Sequence, residues 1–81
     1  MSYYVYMLKS LEKKSVTYVG YTKNLPKRIK LHNSGKGAKF TRGKKWKLVY
    51  YKKYDSRAIA MRSEFQLKKN YRLRKKLKTN T

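Results

Sequence analysis

Two stretches decide the fold: Tyr3-Tyr4-Val5-Tyr6-Met7-Leu8 and, after the polar segment from Lys9 to Ser15, Val16-Thr17-Tyr18-Val19-Gly20-Tyr21. Both are aromatic and β-branched runs of strand length, and they read as an antiparallel hairpin with a longish, mobile loop. Alternation puts Tyr4, Tyr6 and Leu8 on one face of the first strand, and groups Val16, Tyr18 and Gly20 on one face of the second. A glycine inside a strand marks a bulge or the close approach of another group.

Working outward, Asn24 reads as an N-cap, with Pro26 in the first turn, where its missing N–H is not needed. The helix should run to about Asn33, with Gly35 available to end it. Leu25, Ile29 and His32 share one stripe and Arg28 adjoins it, so two polar groups lie on or beside the inward face. Ser34 to Lys45 is a glycine- and lysine-rich loop whose spacing does not match a phosphate-binding loop. Trp46 to Tyr51 forms a third strand, with room to extend to Tyr54. Asp55 or Ser56 then caps a helix from Arg57 to Lys69. Its expected core stripe is Ala58, Met61 and Phe65, with Ala60 and Leu67 as a second apolar edge and Glu64 between the two groups. A basic, weakly helical tail follows. The fold class is therefore α+β: a small three-stranded antiparallel sheet with helices packed around it, in one domain over residues 1–81 whose tail starts near residue 70.

Charge bounds the function. Twenty-four Lys and Arg face three acids, Glu12, Asp55 and Glu64, for a formal net charge of +21. Solubility needs only about 2–8 charges in a small domain. A polyanion is the natural partner, since binding nucleic acid releases condensed counterions. No apolar run approaches the ~20 residues of a membrane span, and no leader pattern follows Met1. There is no strongly amphipathic basic helix of the kind that lies on a bilayer. With no cysteine to form disulfides, the expectation is a cytoplasmic protein that does not engage membranes.

Nuclease chemistry needs an activator for the nucleophile, stabilisation of phosphorane charge and usually a divalent cation held by hard oxygens. Glu12 falls in the hairpin loop and Asp55 at a helix cap. Glu64 has no such local role, apart from pairing with Arg57 or Lys68 on a solvated face. Tyrosine, with an ordinary pKa of about 10, is a poor base unless neighbours stabilise its phenolate. By residue type alone, packing explains any single Tyr, and a satisfied helical residue explains His32. Exposed aromatics on a basic sheet also suit single-strand stacking without chemistry.

The order and spacing of these elements resemble the GIY-YIG nuclease superfamily over nearly the whole chain, and its small stand-alone bacterial members most closely. Tyr4-Val5-Tyr6 stands where the family has Gly-Ile-Tyr, and Tyr18-Val19-Gly20 where it has Tyr-Ile-Gly. Arg28-x-x-x-His32-Asn33 follows, then Glu64 on the next helix, and the run from Asn33 to Thr41 is similar to the stand-alone group. The resemblance implies an endonuclease that hydrolyses phosphodiesters with one Mg²⁺ or Mn²⁺ ion. Tyr6 would act as general base on water, and Tyr18 would bond that water or the scissile phosphate. Arg28 would offset phosphate charge, Glu64 would hold the cation, and His32 would assist orientation or proton transfer. Lys36, Lys39, Arg42, Lys44 and Lys45 are the expected nucleic-acid contacts, with DNA favoured over RNA. Two departures stand out: Tyr4 replaces the motif glycine, and neither Asn70 nor Asn80 matches the family's C-terminal asparagine. The alternatives are a non-catalytic DNA- or RNA-binding module and a nuclease subunit that works only with a larger protein partner. Phosphate affinity alone does not require a carboxylate, which favours chemistry.

Overall fold

In the computed structural model, which describes residues 2–79, the elements run β1(Tyr3–Ser10), β2(Thr17–Thr22), α1(Leu25–Asn33), β3(Trp46–Tyr54), α2(Arg57–Lys69) and α3(Tyr71–Thr79). The architecture is the expected α+β one, with β1 central in an antiparallel sheet of order β2-β1-β3. β1 reaches Ser10, beyond its aromatic run, because it is paired on both sides: Lys9 faces Thr17 and Lys47, and Ser10 faces Trp46. The hairpin loop is tied down locally. Val16 N–H donates to the Ser10 hydroxyl, which donates to Glu12, and Glu12 pairs with Lys44 at 2.6 Å.

Period-2 alternation of β1 divides the interior into two layers. Val5 and Met7 face one way and, with Val19, Ala60 and Leu67, form the core under α2. Tyr6 and Leu8 face the other and pack with Leu25 and Trp46 on the side of α1. The sheet is covered on both faces, so the inner strand reads as a continuous apolar run and not as a polar–apolar alternation.

α1 begins as expected, with Asn24 Oδ1 accepting from Lys27 N–H, and Gly35 follows it at φ +81°. Its inward stripe buries Leu25 and His32. α2 corrects the sequence reading. Ser56 caps it, but Met61 and Phe65 are exposed (45% and 56%) and Ala58 is exposed too, while Ala60 and Leu67 are buried. The inward stripe is Ala60, Glu64 and Leu67, at spacings of four and seven residues. Fully buried Ala60 lets the helix backbone approach the sheet closely. The stripe that looked like core is the solvent face.

The described part of the expected basic tail is a helix, α3, fastened to the loop end of the hairpin. Lys9 Nζ donates to the Lys78 carbonyl, Lys78 Nζ to the Ser15 carbonyl (2.6 Å), and Arg74 Nη1 to Thr17 Oγ1 (3.3 Å). Asn70 joins α2 to α3 by accepting the Leu73 N–H on its side chain. Asn80 and the tail's last residue lie outside the described residues.

Candidate active site

The β1–β2 register sets Tyr6 opposite Gly20 and Leu8 opposite Tyr18. A Cβ on Gly20 would lie 2.6 Å from the Tyr6 hydroxyl, closer than any real contact. Gly20 therefore marks a close approach and not a bulge: the Tyr6 ring crosses over the neighbouring strand where a side chain would stand. The break in register lies elsewhere, between β1 and β3 at Met7/Leu8.

Tyr6 is almost wholly buried, and its hydroxyl lies 2.8 Å from His32 Nε2. His32 is itself fully buried, and its Nδ1 lies 2.8 Å from Thr41 Oγ1. The Thr41 hydroxyl donates its single proton to the Ala38 carbonyl at 3.1 Å. Facing the imidazole, then, Thr41 is an acceptor. That assigns the proton of neutral His32 to Nδ1 and leaves Nε2 to accept from the Tyr6 O–H. The result is a directed chain, Tyr6 to His32 to Thr41 to Ala38.

Burial sets the charge states along this chain. Desolvation pushes the Tyr6 phenol up to about 12, against a smaller opposing pull from the Arg28 guanidinium beside it. Desolvation also lowers the His32 imidazole below its ordinary value, and the Arg28 charge lowers it further. At neutral pH the pair is a neutral phenol bonded to a neutral imidazole.

Tyr6, Tyr18, Arg28 and Glu64 line one cleft of about 330 Å³, with Gly20, Tyr21 and Thr22 completing the wall. His32 lies behind Tyr6, hydrogen-bonded to it. Tyr18 is half-buried, its ring 6.4 Å from that of Tyr6 and 4.9 Å from the His32 imidazole. Arg28 Nη2 donates to the Gly37 carbonyl at 3.2 Å, while its Nε is buried without a hydrogen-bond partner. Glu64 comes from the opposite layer, on the inward stripe of α2, and pairs with Lys68 at 3.4 Å. Glu64 thus meets a neighbouring lysine and also lines the cleft.

Among the described residues no three of His, Cys, Asp and Glu cluster together. The donor set in the cleft is one part-exposed carboxylate. That fits Mg²⁺ or Mn²⁺, hard ions commonly held by one or two carboxylates with substrate phosphate and water. It does not fit a structural zinc site, which is closed by four protein ligands.

The expected phosphate-contact loop divides. Lys36, Lys39 and Arg42 are exposed, whereas Lys44 is paired with Glu12 and Lys45 donates to the Asn33 carbonyl. Tyr4, in place of the motif glycine, is half-buried on the same sheet face as Tyr6, with its ring 6.2 Å from that of Tyr51.

Sequence reasoning missed Thr41, Gly37 and Phe40. A Cβ on Gly37 would run into His32 Nδ1, so this glycine is required by the loop's passage over the imidazole. The available signal was that glycine itself, placed soon after a histidine on an inward stripe.

Comparisons with known proteins identify the family and the fold. Residues 2–78 match the GIY-YIG catalytic domain family. A UPF0213 protein of Oceanobacillus iheyensis is 39% identical over 90% of this chain and 84% of its own length. One from Clostridium perfringens is 48% identical over 82% and 70%. The solution NMR structure of a UPF0213 protein from Bacillus halodurans superposes with a TM-score of 0.55 at 43% identity, covering 94% of this chain and 80% of that one. With its strand order, its Tyr6–Gly20 crossing and a match across nearly all of its length, the chain belongs to the GIY-YIG family.

Proposed function

We propose that this protein is a metal-dependent endonuclease that hydrolyses phosphodiester bonds of nucleic acid, DNA in preference to RNA, in the cleft of Tyr6, Tyr18, Arg28 and Glu64. The observation that carries this reading is the Tyr6 hydroxyl. It is bonded to a proton acceptor behind it and lines the cleft that also holds Arg28 and Glu64.

A phenol held near a pKa of 12 supplies almost no phenolate at neutral pH. Tyr6 therefore acts by relay. Its oxygen takes a proton from the attacking water while its own phenolic proton passes to His32 Nε2. The water oxygen bonds to phosphorus as the bond to the leaving oxygen breaks, and that oxygen is protonated from solvent. The resulting imidazolium keeps its Nδ1–H on Thr41. Substrate helps this step: a phosphate beside Arg28 cancels part of the charge that disfavours protonated His32. Tyr18 orients the water or the phosphate. Glu64 would hold the cation, whose chemistry is to stabilise charge on the phosphoryl and leaving oxygens. Lys36, Lys39 and Arg42 are assigned to phosphate contacts outside the cleft, with Lys44 and Lys45 contributing less because they are engaged internally.

Glu64→Gln keeps the size and the helix propensity but removes the charge that holds a hard cation. It should bind DNA as tightly as the parent or slightly more tightly, and lose Mg²⁺-dependent cleavage. Tyr6→Phe should fold and bind, and lose on the order of 100-fold or more in cleavage rate. The assay is a panel of branched, flapped, single-stranded and duplex DNAs, with RNA counterparts, in Mg²⁺ or Mn²⁺ against EDTA. Cleavage by Glu64→Gln at the parent rate rejects the metal role; no cleavage by the parent on any substrate rejects a stand-alone nuclease in favour of a binding module or a nuclease subunit active only with a partner.

A further inference from the structure

The cleft does not end at Tyr18. That residue is shared with a second cavity of about 250 Å³, lined also by Thr17, Phe40, Lys68 and Arg74. Thr17 and Arg74 are shared in turn with a third, of about 390 Å³, running along α3 past Tyr71, Lys75 and Lys78. Linked by these shared residues, the three cavities lie in series from the cleft to α3, and the groove is the three together. Its cations beyond the cleft are Lys68, Arg74, Lys75 and Lys78, and among the described residues Glu64 is the only acid along it. Arg74 bonds Thr17 with one guanidinium nitrogen, yet its Nε is buried without a partner.

Halfway along stands an aromatic step. Phe40 is 54% exposed, and its ring lies nearly parallel to that of Tyr18, at 6.1 Å and 22°. Trp46, almost wholly buried, supports it from the side at 6.2 Å. An apolar ring laid flat on another, half in water, contributes little to folding in proportion to its size. It does present a free π-face one ring away from the residue that lines the cleft.

We infer that this groove is a binding track for single-stranded DNA, with Phe40 as the platform on which an unpaired base stacks and Arg74 as a phosphate contact beyond it. The inference rests on the nuclease reading for its direction toward the cleft and names that reading's substrate class: DNA with an unpaired segment beside the cleavage point, as in a flap or junction. Bases within a duplex have both faces covered by their neighbours, so an aromatic platform selects unpaired ones. Recognition of RNA over DNA uses the 2′-hydroxyl. Here the Thr17 hydroxyl accepts from Arg74 and the Thr79 hydroxyl donates to carbonyls of α3; Ser15 and Tyr71 also line the groove, so an RNA of the same sequence is the arm of the test that checks the assignment to DNA.

The test is fluorescence anisotropy in EDTA, so that cleavage plays no part, with a labelled single strand, a flapped duplex and a blunt duplex. Phe40→Leu, which keeps the apolar bulk and loses the ring, should weaken single-strand and flap binding on the order of tenfold. Blunt-duplex binding should change less than about twofold, and Phe40→Trp should restore or exceed parental affinity. Equal weakening on all three DNAs, or no change on the single strand, overturns the platform. An RNA of the same sequence bound as tightly or more tightly overturns the assignment to DNA. The parent protein gives a check that needs no variant: photocrosslinking of a 5-iodouracil single strand should yield a peptide containing Phe40 or Tyr18, and crosslinks confined elsewhere count against the track. If the parent cuts nothing but shows this Phe40-dependent binding, the stand-alone nuclease reading fails and the track stands. If the parent cuts and its single-strand binding is indifferent to Phe40, the track fails and the nuclease reading stands.

Discussion

α1 and α2 cover opposite faces of the same sheet, and both carry polar groups on the side that faces inward: Arg28 and His32 on α1, Glu64 on α2. The inward stripe of α1 was legible because Leu25 and Ile29 share it and no other face of the helix competes. On α2 a more apolar stripe does compete. Ala58, Met61 and Phe65 outweigh Ala60 and Leu67 in hydrophobicity, yet it is Ala60 and Leu67 that are buried. Apolar periodicity identifies the packed face only when one stripe dominates. Where a helix must also deliver a carboxylate to a cleft, the face chosen includes that carboxylate, and a small residue beside it allows the backbone to come close.

The sharpest way to break this comparison is to overfill the face of α2 that is said to be tight. Ala60 is fully buried against Val5, Met7 and Val19. Ala60→Phe should destabilise the fold by about 3 kcal/mol, the upper end of the usual overpacking range, because neither helix nor sheet can give way without moving the other. Urea denaturation measures it. A variant as stable as the parent would mean that α2 does not seat on this face.

The counterpart on α1 is the buried polar chain. Thr41→Val keeps the shape but removes the acceptor for His32 Nδ1 and the donor to Ala38. A buried imidazole N–H left without a partner should cost about 2 kcal/mol. The imidazole ¹⁵N shifts give a readout that general destabilisation does not move: the parent should show the proton on Nδ1, and the variant a changed tautomer balance. A parent protonated on Nε2 would reverse the direction of the chain and remove Tyr6's proton acceptor.

The same imidazole makes stability depend on pH in a window that little else disturbs, because the sequence has one histidine and three acids. The folded pKa of His32 lies below its unfolded value, so between the two the unfolded chain binds more protons. The stabilising contribution is fully present above about pH 6.5 and is lost as pH falls through the depressed folded value. Denaturation midpoints from about pH 7 to about pH 5 should therefore fall, and His32→Asn should flatten that slope. A parent with no slope there would mean that His32 is not desolvated.

How much of this was written in the sequence follows from how local each feature is. The hairpin, the Asn24 cap and the stripe of α1 follow from alternation and capping, and the structure has all of them; Gly20 was legible as a bulge or a close approach, and the structure shows the close approach. The extent of β1 depended on pairing on both sides, which no single run reveals. Thr41 and Phe40 sit in a loop without periodicity, so their partners, His32 and Tyr18, could be found only in three dimensions. Tyr6, Tyr18, Arg28, His32 and Glu64 were named together through family resemblance; residue type alone would have left most of them as packing.

The smallest expected effect tests the other half of the comparison, the exposed stripe of α2. Phe65 is 56% exposed, and Lys69 Nζ lies 4.4 Å from its ring centroid. Phe65→Ala forfeits that cation–π contact, worth about 0.5–1 kcal/mol at an exposed site. It gains roughly 0.5 kcal/mol because alanine favours the helix more than phenylalanine does. The two nearly cancel, so the denaturation midpoint should correspond to a change within about 0.5 kcal/mol. A core phenylalanine truncated to alanine costs about 3–5 kcal/mol, so the two placements of this face are separated by several times the error of the measurement. A loss of that size would restore the stripe that hydrophobicity alone favours and would turn Glu64 away from the cleft.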